Sequence, residues 1–272
     1  MSESNKRNFI VHGSILAIAG ILVRIIGMLY RIPVVNIIGS EGNGIYGAAF
    51  NIYNIMLVLS SYGLPMAVSK LVSARFTKKR YKSAAKVLRC SLMVAVCTGG
   101  IAALLVFFGA SFIENVIYGG GLPGLAIPLR ILAPTIFLVA ILGVIRGFFQ
   151  GQSTMIPTAV SQILEQIVNA IVSIAAGYGM MKAFASSPDV AAYGAAGSTL
   201  GTAMGALTAV LFMGFLYAVY TPTFNRLKRK DRHTENQSTG QICKIIIYTM
   251  IPIILGQTFY QISALIDDVM FS

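Results

Sequence analysis

Charge is scarce in this sequence, and acid is scarcer still. Only 11% of its 272 residues are charged, with 9 Asp and Glu set against 21 Lys and Arg. A soluble domain averages about 25% charge, so most of this surface is not built to face water. Cysteine is rare too. Cys90, Cys97 and Cys243 lie in or at the ends of apolar stretches without ligand spacing, which argues against a disulfide framework. The two histidines, His12 and His233, have no catalytic or metal-binding neighbour in sequence. A Ser-His-Asp set, a Walker A loop and an HExxH motif are all missing, so neither enzyme chemistry nor a metal or cofactor is expected. The alternating ten-residue segments of an outer-membrane barrel are missing as well.

What the chain has in abundance is oil. Hydrophobic residues make up 56% of it, and the mean hydropathy is +0.76. They fall in blocks longer than about 18 residues, enough to span a hydrocarbon core roughly 30 Å thick. The expected fold is an all-α, polytopic transmembrane bundle with seven spans, at about 10–35, 45–71, 88–110, 125–149, 157–180, 193–219 and 243–266. Turns rich in Gly, Pro and Asn separate them at 39–44, 119–124 and 151–157. The first apolar stretch is too long for a cleavable signal peptide. The 119–124 turn follows a membrane helix rather than a strand, so it is no dinucleotide fingerprint.

The net charge of +12 does not point to nucleic acid, because the basic residues crowd a few connections. Arg75, Lys78, Lys79, Arg80, Lys82, Lys86 and Arg89 fill one; Arg226, Lys228, Arg229, Lys230 and Arg232 fill another. With Lys6 and Arg7 they alternate along the spans so as to share one side. The positive-inside rule then puts the N-terminus in the cytoplasm of a multi-pass plasma-membrane protein. Anionic membrane lipids are the expected contacts. The domain layout expected is a six-helix lobe over 1–221, a basic cytoplasmic linker over 222–242, and over 243–272 the first helix of a second lobe that the chain cuts short.

Two arginines inside the first span set the functional question. A charge at the centre of a membrane helix costs about 2.5–3.5 kcal/mol on insertion scales. Arg24 is mid-span; Arg31, seven residues on, shares its face with Gly20 and Gly27. Small residues beside a guanidinium leave room for an anion, and the fork geometry suits phosphate oxygens. Span five carries Gln162, Glu165, Gln166 and Asn169 on one face; span two offers Asn51 and Asn54 with Tyr46 and Tyr53 near them. Span seven carries Gln257, Tyr260, Gln261, Ala264 and then Asp267 or Asp268 on a similar stripe. Interhelical hydrogen bonding accounts for such stripes at around 0.6 kcal/mol each; a common wet cavity is the other reading. In the second, Arg24, Arg31, Gly27, Asn51, Asn54, Gln162, Glu165 and Asn169 contact substrate, and Glu165 and Asp267 serve coupling or gating. Arg130, Arg146 and Lys70 read as interface anchors.

Arg24-Ile-Ile-Gly27, the outer turn with Gly44-Ile-Tyr-Gly47, Ser61-Tyr-Gly-Leu-Pro-Met-Ala-Val-Ser-Lys70 and Arg146-Gly-Phe-Phe-Gln-Gly151 together resemble the polysaccharide-biosynthesis branch of the multidrug/oligosaccharidyl-lipid/polysaccharide (MOP) exporters. The likeness is to its MurJ and stage V sporulation protein B type of flippase, and it runs along essentially the whole chain. It implies a MATE-like fold of two six-helix lobes around a cavity. It also implies movement of undecaprenyl-pyrophosphate-linked oligosaccharide, lipid II or a related precursor, to the outer leaflet by alternating access. Arg24 matches the family's R-x-x-G cavity arginine, tied there to the pyrophosphate. The basic residue that Gram-negative relatives carry in span two is replaced here near Leu57. Other partners implied are a C-terminal half and further cell-envelope synthesis proteins. The alternatives are a cation-coupled multidrug exporter of the same superfamily, and an inactive half or membrane scaffold.

Overall fold

A computed structural model describes the backbone of residues 3–232 and 238–271, and the side chains of 14–232 and 238–257. His233 and the side chains of His12 and Asp267 lie outside the described residues. Within them the protein is entirely helical: α1 (Glu3–Ser60), α2 (Gly63–Thr77), α3 (Tyr81–Phe112), a π-helical turn (Ile113–Ile117), α4 (Ala126–Gly151), α5 (Ile156–Ala183), α6 (Val190–Lys230) and α7 (Thr239–Phe271). Six helical stretches are long and apolar enough to cross a membrane, and the first, Ser14–Thr77, has 64 residues.

Such a stretch would extend roughly 95 Å if straight, far beyond one crossing. It is not straight. Gly39 alone inside α1 leaves helical geometry, at φ 72° and ψ −176°, a region open to glycine because it has no Cβ. Arg31 Cζ lies 5.5 Å from the ring centroid of Tyr46, although fifteen residues of helix would separate them by about 22 Å. The chain therefore reverses at Gly39, and α1 is a hairpin of two limbs, 3–38 and 40–60. The loop expected over 39–44 shrinks to this one residue. Pro33 sits inside the first limb without breaking it.

The second expected span, 45–71, is interrupted instead of continuous. Pro65 has no N–H to give the Ser61 carbonyl, and its ring crowds that position, so the helix stops at Ser60 and restarts at Gly63. Thr98 Oγ1 of α3 donates to the Ser60 carbonyl at 2.9 Å, satisfying a group freed by the break. The basic stretch 72–87 is also mostly helical, with only Lys78–Arg80 between α2 and α3.

α6 runs eleven residues past the span end expected at 219. Its polar tail holds Tyr220 and Phe224, and Phe224 is 1% exposed in an aromatic cluster with Phe76 and Phe148. Buried aromatic area outweighs the low hydropathy of Thr221–Lys230. Asp231 then accepts the Lys82 backbone N–H at 2.8 Å, closing the first turn of α3. The start of α7 joins the same core, with Ile242 and Ile246 fully buried beside Leu64, Val68 and Val87.

Glycine stripes set the closest helix approaches. On α6, Gly194, Gly197, Gly201 and Gly205 face α5; a Cβ on Gly201 would sit 2.6 Å from the Asn169 carbonyl oxygen, and one on Gly205 2.6 Å from that of Glu165. On α4, Gly147 and Gly151 press on α2, where Cβ atoms would meet the Pro65 carbonyl at 2.6 Å and that of Ser69 at 2.8 Å. Backbones this close gain dispersion contacts that lipid cannot match. α5 is thereby locked in register against α6 at the turns that carry its polar residues.

A polar seam between α1 and α5

The locked α5 turns its polar stripe toward both limbs of the α1 hairpin. From the first limb, a Cβ on Gly27 would lie 3.1 Å from Gln166 Nε2, so the missing side chain is what lets Gln166 in. Tyr30, three residues on, accepts from Asn169 Nδ2 at 3.2 Å and shares a side-chain hydrogen bond with Tyr46 of the second limb. Asn169 Oδ1 accepts from Ser173 at 2.9 Å and from Thr202 of α6 at 3.4 Å. A chain of polar groups thus links both limbs of α1 to α5 and α6. Asn169 is buried within it, and its contacts join helices.

Glu165 is engaged elsewhere. Its Oε2 accepts from Arg146 Nη2 of α4 at 2.7 Å, with the two side chains 26% and 14% exposed. Arg146 Nε also donates to Ser161 Oγ at 2.9 Å. The interface-anchor reading of Arg146 is corrected: five residues, about one and a half turns, before the end of α4, it reaches inward because α5 presents an acid and a hydroxyl one turn apart. No sequence signal paired the two, since they are nineteen apart on different helices. Arg130 donates to Ser111 at 2.9 Å.

Arg24 and Arg31 are both exposed. At about 100° per residue they sit roughly 20° apart around the helix. Ile18, Ile21, Leu22, Ile25, Met28, Leu29 and Ile32 form one exposed apolar arc; Ala19, Val34 and Ile38 are buried on the other side. Arg24 and Arg31 occupy the border between these arcs, flanking Gly27. Arg31 lies over the Tyr46 ring, a cation–π contact. Arg24 makes no hydrogen bond or ion pair among the described residues. Asn51, Asn54, Gln162 and Gln166 are half-buried and likewise unbonded among them. Tyr53, buried on the second limb, lies within electrostatic reach of Glu165.

Sequence reasoning missed one more charged group. Glu114, on the π-helical turn, accepts the backbone N–H groups of Gly124 at 2.9 Å and Ala126 at 2.8 Å, placing a carboxylate on the positive end of α4. No group of His, Cys, Asp and Glu suited to a metal occurs among the described residues. Cys90 and Cys243 are free thiols in contact with each other.

Comparison with known proteins agrees with this architecture. The chain is 34% identical over 176 residues to the lipid II flippase MurJ of Bacillus subtilis, covering 62% of this chain and 32% of that protein. It is 30% identical over 210 residues to stage V sporulation protein B of the same organism, covering 76% and 39%. The fold superposes on a crystal structure of MATE in the straight conformation with a TM-score of 0.72 at 17% identity, over 93% of this chain and 53% of that one. The chain spans less than half the length of those two Bacillus relatives. Residues 10–272, nearly the entire chain, match the family described as polysaccharide biosynthesis protein, and the protein belongs to that family.

Proposed function

We propose that the protein is one lobe of a MOP-superfamily flippase that carries a polyprenyl-pyrophosphate-linked oligosaccharide across a bacterial plasma membrane by alternating access. In this reading Arg24, with Arg31 beside it, holds the pyrophosphate. The sugars occupy the seam bordered by Gln162, Gln166, Asn51 and Asn54, and the prenyl chain stays in lipid. The observation that carries the reading is the charge balance of the seam. Its one described acid, Glu165, is neutralised by Arg146, while Arg24 is left exposed and unpaired one turn before Gly27, where Gln166 reaches α1. Excess positive charge suits an anion and disfavours a cationic drug, for which a free carboxylate would be needed. The N-terminus is cytoplasmic by the distribution of basic residues. Asp267 keeps its proposed coupling role, and the C-terminal half of a longer protein and other cell-envelope enzymes remain the proposed partners.

The test is Arg24→Ala in the complete protein. A bidentate guanidinium–phosphate contact is worth about 1.5–3 kcal/mol, so affinity for the lipid-linked pyrophosphate drops roughly tenfold to a hundredfold and complementation of a flippase-deficient strain is lost. Membrane insertion is unchanged, because the side chain holds no helix in place. Full complementation by the variant would overturn the assignment.

A further inference from the structure

A second cationic site lies away from the seam, where α3, the tail of α6 and the start of α7 meet. Lys82, Lys86 and Arg89 of α3, Lys228 of α6 and Thr239 of α7 line a groove of about 430 Å³, with Cys90 among the lining residues. Four cations from two helices thus converge on one hollow. The described acid next to it, Asp231, is buried and accepts the Lys82 backbone N–H. Lys228 is steadied over the Phe224 ring, 5.2 Å from its centroid, which is fixed in turn by the aromatic core. Cys90 touches Cys243 and approaches the Thr239 carbonyl at 3.8 Å, so α7 forms one wall.

The groove changes character along its length. Residues 82, 86, 89, 93 and 96 follow the i, i+4, i+7 repeat and share one face of α3. The first three are cationic; Met93 and Val96, next along the face, are apolar and 58% and 47% exposed. On α7, Ile247, two turns beyond Thr239, is 48% exposed. A cationic groove that ends at Met93, with exposed apolar side chains further along both helices, suits the long axis of a phospholipid, where a soluble phosphate would need only the head. The charged turns sit at the end of the α3 apolar span, the level of phosphate groups in a bilayer.

We propose that this groove binds an anionic glycerophospholipid, its phosphate among Lys82, Lys86, Arg89 and Lys228 and an acyl chain along Met93, Val96 and Ile247, so that a lipid clips α7 onto the six-helix lobe. Two triple variants test it in the detergent-purified protein, with phosphatidylglycerol binding followed by native mass spectrometry. K82Q/R89Q/K228Q empties the groove of three cations. R226Q/R229Q/K230Q removes the same charge from neighbouring positions outside it. Each groove cation contributes about fivefold in affinity, so the first triple weakens binding by roughly a hundredfold while the second stays near wild type. Phosphatidylcholine does not compete, nor does inorganic phosphate at matched concentration. Equal weakening by both triples would reduce the effect to net charge and overturn the site; so would unchanged binding in the first. Displacement of the lipid by inorganic phosphate would overturn the lipid assignment. A charge-preserving K82R/R89K/K228R variant retains binding, which separates lost charge from lost fold.

Discussion

Glu165→Gln removes one charge from the seam while keeping an acceptor for Arg146. Unit charges about 4 Å apart attract by roughly 4 kcal/mol at an effective dielectric of 20. That attraction offsets the desolvation of two groups held mostly out of water, Arg146 at 14% and Glu165 at 26% exposure. Breaking a fully buried pair costs 3–5 kcal/mol because the remaining charge is stranded, by the usual range. Here Arg146 keeps its bond to Ser161, which lowers the expected loss to about 2 kcal/mol. Thermal unfolding followed by helical circular dichroism should then shift down by roughly 4–8 °C. Arg146→Met alone strands the carboxylate and should cost at least as much.

The decisive comparison is the double variant Arg146→Met/Glu165→Met, with Arg146→Met and Glu165→Met as the single changes that close the cycle. Two apolar side chains of similar bulk leave no uncompensated charge, so its stability should return to within about 1 kcal/mol of wild type. The coupling between the single changes then exceeds roughly 1 kcal/mol. Additive singles, with the double variant losing the sum of both, would refute the claim that the pair is energetically coupled. Transport measured on the same variants separates two roles. Recovery of activity along with stability assigns the pair to architecture, whereas a stable but inactive double variant shows that Glu165 also acts in the cycle.

Gly205→Leu forces a side chain into the Glu165 carbonyl, 2.6 Å from the new Cβ. It should cost about 1–3 kcal/mol and loosen α5 from α6, visible as faster proteolysis or hydrogen exchange of α5. Gly39→Ala meets open space but not an allowed backbone, so its penalty should be the positive-φ backbone strain alone, about 1–3 kcal/mol, with cysteine crosslinking between positions 31 and 46 reporting whether the hairpin survives. Glu114→Ala uncaps two N–H groups at the start of α4 and should lower stability by about 1.5–3 kcal/mol; an unchanged unfolding midpoint would refute the capping role.

Spans three to six were legible because apolar composition over 20 or more residues survives any local detail. The points that escaped depend on partners distant in sequence. Nothing in Tyr220–Lys230 advertises that Phe224 meets Phe76 and Phe148, so the helix was expected to end eleven residues early. The reversal at Gly39 was legible as a glycine-rich turn, yet which of Gly39, Gly42 and Gly44 would leave the helix was decided by packing: a Cβ on Gly42 would meet the Ala191 carbonyl at 3.2 Å, so that glycine serves a helix contact. Likewise Gly147 and Gly151 are spacing residues against α2. The polar stripe on α5 was legible from its i, i+3, i+4, i+7 spacing, but not which of its members would be consumed in holding helices together.

That division orders the seam. Asn169, Glu165 and Arg146 are committed, each bonded to a different helix. Arg24, Asn51, Asn54, Gln162 and Gln166 have no such bond among the described residues. A carrier needs both sets side by side, since a group cannot bind cargo reversibly while its bonds hold the scaffold, and an unscaffolded group cannot hold a geometry. Substitutions in the committed set should therefore lower stability first and activity in proportion. Substitutions such as Gln162→Ala should leave the unfolding midpoint within about 0.5 kcal/mol of wild type and appear only in transport. If Gln162→Ala destabilised the fold as much as Asn169→Ala, the seam would be glue throughout, and the exposed margin at Arg24 would have lost the polar wall that a pyrophosphate-linked sugar requires.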